Sequence, residues 1–175
     1  MKKLSILLVI LLILLFPFYL FTQNLSLSKL GERELVTYSL TDEQKEKIKL
    51  ETSSLTSEEI IDYSTKFTCS LLSFTRKNNL TAREANCIGY AATYVAVCNY
   101  AFQVNHINGN AKHVYGYVMV GNSNLNSMVS GVAPSQALKN FTKDHDFVEV
   151  TSGKTHCYLS PTIADLLGAA AKTQF

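Results

Sequence analysis

The chain has 175 residues, enough for one domain with a hydrophobic core, and 47% of them are hydrophobic. Its 16 basic and 14 acidic side chains give a formal net charge of +2. Lys2 and Lys3 account for that excess, so residues 24–175 are neutral overall and show no basic stripe. This balance argues against a nucleic-acid partner, which requires a positively charged surface.

The first 23 residues form a separate segment. Residues 4–22 carry no charged side chain and, as a helix, are long enough to cross roughly 30 Å of hydrocarbon. Lys2 and Lys3 would then stay in the cytoplasm, and the rest of the chain would be exported to the periplasm or the cell exterior. A cleaved signal peptide is the alternative, although the apolar run is long for one and no Ala-x-Ala site follows it. We expect a single-pass transmembrane anchor over residues 1–23.

Helical patterns follow the predicted anchor. We expect residues 24–55 to form a juxtamembrane linker with a short charged helix at 41–51. A stronger pattern runs over 56–74, where a threonine or serine can cap the helix, acidic residues fill its first turn and apolar residues recur at helical spacing. We therefore place the main domain at residues 56–175.

The segment from Ala85 to Ala111 contains no Asp, Glu, Lys or Arg. A helix without a charged face is usually buried on all sides, so we expect a buried helix here that carries Cys87. Its polar residues argue against a second membrane span. The stretch TARE at 81–84 is a capping box, which would start the helix at Thr81 and put Cys87 in its second turn; the alternative is that the box forms a short separate turn before the helix.

Three strands are predicted in the C-terminal part, at 113–121, 145–150 and 154–160, because β-branched and aromatic residues are frequent there. An Asn-Gly step precedes the first strand, and a Ser-Gly turn joins the second to the third. Residues 122–142 form a long polar connection with one helical turn at 135–140. Helices followed by antiparallel strands indicate an α+β fold.

Four cysteines are present, and none belongs to a C-x-x-C pair. In an exported domain an even number can form disulfides, but each can also be a separate buried thiol. The spacing offers no paired ligands for a structural zinc ion, so we expect no metal site. The four residues are Cys69, Cys87, Cys98 and Cys157.

One cysteine and one histidine stand in a more specific context. A neighbouring histidine and a helix N-terminus both favour a nucleophilic thiolate, and Cys87 and His145 could supply such a pair. Phe147 and Glu149 follow His145 at two and four residues, and Ser160 precedes a Pro-Thr step. Three motifs follow one another along the chain: NCIGYAA at 86–92, HVYGYV at 113–118, and the stretch from HDFVEV to LSPT at 145–162. In this order they resemble the motifs of the transglutaminase-like superfamily of papain-like folds.

The resemblance implies a papain-like or transglutaminase-like core, with a helical N-terminal part and a buried helix that packs Cys87 against a small antiparallel sheet. Cys87 would be the nucleophile and His145 the base. The family's orienting acid usually stands where this chain has Ser160. Ser160, or Asp165 five residues further on, would hold the imidazole. This chemistry implies neither a cofactor nor a metal.

Other polar and aromatic residues near these motifs are expected to have structural roles. His113 is interpreted as structural or exposed. Strand alternation points Asp146 to the face opposite His145. Glu149 is expected to pair with a basic side chain, and Tyr90 to belong to the core.

The function that the resemblance implies is that of an exported, membrane-tethered cysteine hydrolase or acyltransferase. Its substrate would be a peptide or protein, and both cysteine-protease or amidase hydrolysis and transglutaminase-type acyl transfer stay open. A catalytically inactive binding or scaffold domain of the same fold is the alternative, which Ser160 in the place of an acid favours. A disulfide-stabilised binding domain of another fold is a third reading, and it requires Cys87 to be paired.

Overall fold

The structure is a computed structural model that describes residues 19–33, 36–130, 144–168 and 171–175. Its helices are α1 Asp42–Thr52, α2 Ser57–Leu71, α3 Cys87–Val104, α4 Leu125–Ser130 and α5 Pro161–Leu167. Its strands are β1 Leu25–Glu32, β2 Ser73–Phe74, β3 Glu84–Ala85, β4 Gly109–Val120, β5 Ser123–Asn124, β6 His145–Ser152, β7 Thr155–Ser160 and β8 Ala171–Gln174. The predicted α+β class is confirmed, whereas the helical turn predicted at 135–140 lies outside the described residues.

The transmembrane helix predicted for residues 1–23 is the part of the fold prediction that is wrong. Among the described residues, none of the helices combines the length and the hydrophobicity needed to cross a bilayer. Residues 19–23 are helical, but the chain turns at Asn24 and continues directly as strand β1. This strand, which we expected to be linker, buries Leu25 and Leu27 in the protein's own core. The remainder of the predicted span, residues 1–18, lies outside the described residues.

Helices α1 and α2 begin where capping side chains satisfy their first backbone N–H groups. Thr41 accepts a hydrogen bond from the N–H of Gln44, and the side chain of Gln44 reaches back to the N–H of Thr41. Thr56 and Glu59 form the same reciprocal pair at the start of α2. Such capping boxes fix where each helix begins, so the predicted starts of both helices are confirmed within one residue.

The main sheet is antiparallel and curls on itself. Its strand order is β1–β4–β6–β7–β8, with the short strand β5 paired to β4. The two edge strands meet, because Leu27 on β1 donates its backbone N–H to Thr173 Oγ1 on β8 at 2.8 Å. Strand β8 was not predicted from the sequence, and it brings the C-terminus back to the first strand of the domain.

The two faces of the sheet bury different side chains. One face packs against α3 and is called the helix face; it contributes Ala111, Val148, Val150, Cys157 and Leu159 to the main core. The other is called the opposite face, and its apolar cluster contains Leu25, Leu27, Val114, Val118, Phe147 and Ile163. Because successive residues of a strand alternate between faces, one step along β4 or β6 moves a side chain from one core to the other.

Gly116 lies where β1 and β4 approach each other closely. The pairing of these strands shifts register between Lys29 and Gly31, and a Cβ at Gly116 would overlap the backbone carbonyl of Ser28. A backbone atom cannot move aside as a side chain can, so this position requires glycine.

We expect Gly116→Ala to lower the free energy of unfolding by about 1–3 kcal/mol, because an added methyl group forces β1 away from β4. Urea unfolding measures the loss. Gly31→Ala is the matched control on the facing strand: the atoms nearest to its Cβ belong to the side chain of Tyr115, which can move, so its cost should be smaller. Equal stability of Gly116→Ala and the parent chain would contradict this account of the β1–β4 contact.

Candidate active site

Cys87 is the first residue of α3, and not a residue of its second turn. Asn86 is the N-cap, and its side-chain oxygen accepts the backbone N–H of Ile88 at 3.0 Å. The TARE capping box does not start this helix, because Leu80–Ala82 form a separate 3-10 turn followed by β3. The structure therefore puts the thiol at the N-terminal end of a buried 18-residue helix, the position that the resemblance implies for a nucleophile.

The thiol of Cys87 contacts a buried carboxylate. Its Sγ lies 3.8 Å from Oδ2 of Asp146, which is on β6 and only 2% exposed. Asp146 projects from the helix face of the sheet, where the N-terminus of α3 lies above it. A carboxylate in this environment must be paired or hydrogen-bonded to stay ionised.

Asp146 has two further partners. His113 on β4 places its Nε2 2.8 Å from Oδ1, and Arg33 places its Nε 2.7 Å from the same oxygen. Arg33 also reaches Asp144 with Nη2 at 2.6 Å, and its guanidinium lies 4.6 Å from the centre of the Tyr115 ring. Asp146 thus joins the thiol, an imidazole and a guanidinium in one cluster.

The hydrogen bond to Asp146 fixes the tautomer of His113. A carboxylate accepts, so Nε2 is the nitrogen that donates, and the tautomer that fits this bond has its lone pair on Nδ1. Nδ1 is buried and has no hydrogen-bond partner among the described residues. His113 is thus an imidazole held at one nitrogen by an acid, with a basic nitrogen left over. From the sequence, His113 was expected to be structural or exposed.

The thiol of Cys87 is protonated at neutral pH. Burial raises its pKa to about 11, and the charge of Asp146 acts in the same direction. The nearby backbone N–H groups of Asp146 and Ile88 lower the pKa, but not enough to outweigh burial. A nucleophile with this pKa requires a base that takes its proton as it reacts.

The predicted base and its orienting residue are brought together, but on the other face of the sheet. His145 Nε2 lies 2.7 Å from Ser160 Oγ, and both residues are buried. Ser160 also caps α5 by accepting the N–H of Ile163. Since His145 and Asp146 are adjacent on β6, the structure places the imidazole of His145 opposite the face that meets Cys87. Burial lowers the pKa of His145 to about 3, against a weaker influence of Asp144.

Asp165, the second candidate for the orienting acid, has a different partner. It lies on α5, where its carboxylate accepts a hydrogen bond from the Tyr90 hydroxyl at 2.5 Å. The ring of Tyr90 is fully buried, in keeping with its predicted core role. Glu149 pairs with Lys29 at 2.6 Å and with His156 at 2.8 Å, so its predicted partnership with a basic side chain is present.

The cysteines are four separate thiols in this structure, which removes the disulfide required by the third functional reading. The described residues contain no group of three or more histidine, cysteine or acidic side chains placed to hold a metal ion. Among the described residues, the polar groups that surround the thiol of Cys87 are therefore those of the Asp146 cluster. They are the carboxylate of Asp146, the imidazole of His113 and the guanidinium of Arg33.

Sequence reasoning missed three members of the cluster: Arg33, His113 and Asp146. Strand alternation correctly predicted that Asp146 and His145 project from opposite faces. The thiol of Cys87, however, lies on the face of Asp146 and not on that of His145. The sequence did contain one signal for a contact between His113 and Asp146, because both lie on predicted strands that follow each other along the chain and could pair. Only the register, in which Tyr115 faces Asp146, shows that both side chains project from one face. Arg33 gave no signal, since it follows a strand that was not predicted.

The buried, neutral His145 should make stability depend on pH. Its folded pKa of about 3 lies below the ordinary value of 6.5, so below pH 6.5 the unfolded chain binds a proton that the folded chain does not. Stability should therefore be lost as the pH falls from about 6.5 toward 3, by up to about 1.4 kcal/mol per pH unit. Urea unfolding of the parent and of His145→Gln across this window measures the difference.

In His145→Gln this part of the pH dependence should be absent, because glutamine does not titrate. His106→Asn is the control at an exposed histidine whose left-handed backbone (φ 54°) asparagine tolerates, and it should keep the parent's profile. A His145→Gln variant with the parent's full pH dependence would contradict the assignment of a neutral buried imidazole.

Comparisons of this chain with protein-family models, with curated proteins and with solved structures find no match.

Proposed function

We propose that this protein is a thiol-dependent acyl-transfer enzyme in which Cys87 is the nucleophile and His113 with Asp146 is the acid–base pair. One observation carries the proposal: the thiol at the start of α3 contacts a buried carboxylate that is itself held by an imidazole and a guanidinium. A nucleophile within reach of a base that a third group orients is the arrangement common to covalent hydrolases on many folds. The transglutaminase-like resemblance supports the same reaction class.

The reaction would begin with transfer of the thiol proton to the acid–base pair, whose Asp146 Oδ2 is the acceptor in the resting geometry. Sγ of Cys87 forms a bond to the carbonyl carbon of a peptide or amide, and the carbon–nitrogen bond breaks. The pair returns the proton to the leaving amine. The thioester then reacts with water or with a second amine, its carbon–sulfur bond breaks, and the thiol regains a proton. All of these steps use side chains of this chain alone.

The proposed pair replaces the one implied by the resemblance, His145 with Ser160. One feature supports the change: His145 projects from the opposite face of β6, where it is buried beside Ser160 and away from the thiol. His113 retains a basic nitrogen beside an acid, which His145 beside a serine does not. The peptide or protein substrate is likewise part of the proposal.

A catalytically inactive binding or scaffold domain is the second candidate. The raised thiol pKa of Cys87 favours it, because burial near a carboxylate opposes formation of a thiolate. Ser160 favours it as well, since a serine supplies no charge to support an imidazolium at His145. In this reading the cluster around Asp146 holds α3 on the sheet and performs no chemistry.

Acylation by p-nitrophenyl acetate separates the two candidates. The enzyme reading predicts acetylation of Cys87, seen by peptide mass spectrometry together with nitrophenolate release. Because proton transfer by a positioned group contributes about 10²–10⁴-fold, we expect His113→Gln and Asp146→Asn to slow the reaction at Cys87 by about a hundredfold or more. His145→Gln should acylate at a rate close to the parent's.

Circular dichroism should accompany each variant, since removal of one partner from a buried ion pair costs stability. His113→Gln leaves the Arg33–Asp146 pair in place and is the more informative of the two. Loss of acylation in His145→Gln with retention in His113→Gln would return the catalytic role to His145. If Cys87 is acetylated no faster than Cys69, the other partly exposed thiol, the enzyme proposal is contradicted and the inactive binding domain is supported.

A further inference from the structure

Arg33 is held by two aspartates of very different exposure. Its Nε contacts Asp146, whose side chain is 2% exposed, and its Nη2 contacts Asp144, whose side chain is 50% exposed. The buried contact is part of the cluster at Cys87. The exposed contact lies at the surface, where ion pairs contribute little to stability and exchange readily with other anions.

The guanidinium is fixed in place independently of Asp144. Its Cζ lies over the Tyr115 ring, 4.6 Å from the ring centre, and the backbone N–H of Arg33 donates to the carbonyl of His113 at 3.0 Å. Loss of the Asp144 contact would therefore leave a positioned cation. A planar guanidinium held in this way matches a carboxylate by two parallel hydrogen bonds.

The cation is also close to the sulfur. The thiol and the guanidinium contact the two oxygens of one carboxylate, Oδ2 and Oδ1 of Asp146. Burial lowers the pKa of Arg33, but the hydrogen bond to Asp144 and the charges of Asp146 and Asp144 raise it overall. Cys87 is near enough to add to that rise. A ligand that placed a carboxylate on Nη2 would thus have its neighbouring atoms near the thiol.

We propose that Arg33 binds a carboxylate of the substrate in the place that Asp144 occupies in this structure. The inference rests on the proposed function and narrows it: the preferred acyl donors carry a free carboxylate close to the bond that Cys87 attacks. Asp144 acts as an internal stand-in that keeps the guanidinium paired until the substrate arrives. Asp146 stays in place, because its other contacts hold it in the core.

The segment that precedes Cys87 carries a net positive charge, which would favour an anionic substrate. Residues 75–86 include three exposed basic side chains against one acid, and this loop is fastened to the helix start because Asn78 accepts the backbone N–H of Asn86 at 2.9 Å. Positive charge on a surface attracts anionic ligands to it. The three basic residues are Arg76, Lys77 and Arg83.

Two alkylating reagents of nearly equal size test the inference without knowledge of the substrate. Iodoacetate carries a carboxylate and iodoacetamide is neutral, and both form a carbon–sulfur bond with release of iodide. The quantity to measure is the ratio of their rates at Cys87, by peptide mass spectrometry, divided by the same ratio for N-acetylcysteine. We expect a value of about ten, because hydrogen bonds between charged groups are the strong ones.

Three variants make the test specific. Asp144→Asn frees Nη2 and should raise the ratio above the parent's. Arg33→Gln should lower it below one, because Asp146 then repels iodoacetate without compensation. Asp42→Asn removes a fully exposed acid on α1 that contacts only Lys45 among the described residues, and it should leave the ratio unchanged.

A parent ratio of one or less, unchanged by Asp144→Asn, would overturn the inference while leaving Cys87 as a nucleophile. If neither reagent reaches Cys87, the proposed function fails, and binding at Arg33 is measured directly. Sodium acetate should then shift the NMR signal of the Arg33 Nε–H group more than sodium chloride at the same ionic strength, and more strongly in Asp144→Asn. Equal shifts with both salts would overturn the inference by this second route.

Discussion

The buried carboxylate of Asp146 is the constraint on which the candidate site depends. An ionised group in the core is tolerated only when its charge is paired and its oxygens are hydrogen-bonded, and removal of one partner typically costs about 3–5 kcal/mol. Arg33 pairs its charge with Asp146, while His113 and Cys87 hydrogen-bond the carboxylate oxygens, and the three residues come from separate parts of the fold. The carboxylate therefore ties the end of β1 and the start of α3 to the middle of the sheet. The same contacts that compensate for its burial bring a thiol, an imidazole and a cation together at one place.

Strand alternation divides the chemistry of the sheet between its two faces. On β6, Asp146 belongs to the helix face and meets the thiol, while His145 belongs to the opposite face and meets Ser160. The pair of His145 and Ser160 is fully buried and uncharged. The hydroxyl of Ser160 also caps α5 by accepting the N–H of Ile163. His145 and Ser160 thus behave as a buried polar pair that joins β6 to β7 and α5. The cluster on the helix face holds the charges.

Much of the fold could be predicted from local signals, because capping boxes and hydrophobic periodicity act over a few residues. Helices α1 and α2 and strands β4, β6 and β7 appear close to their predicted places. The alternation of Leu25 and Leu27 was a signal for β1, but the apolar run before it favoured a membrane anchor with a linker after it. Cys87 was identified from its place in a motif. Its partners depend on register and on the face of each strand, which long-range pairing sets and no local pattern reveals.

The central claim is that the thiol of Cys87 is coupled to His113 through Asp146 and not to His145. The most direct measurement is ¹⁵N NMR of the histidine side chains in the parent and in Cys87→Ala, which leaves the sheet intact. Loss of the thiol frees an oxygen of Asp146, so the account predicts altered ring-nitrogen shifts for His113, while the shifts of His145 stay unchanged and are those of a neutral ring. Changes at His145 with none at His113 would contradict the account and place the chemistry on the opposite face of the sheet.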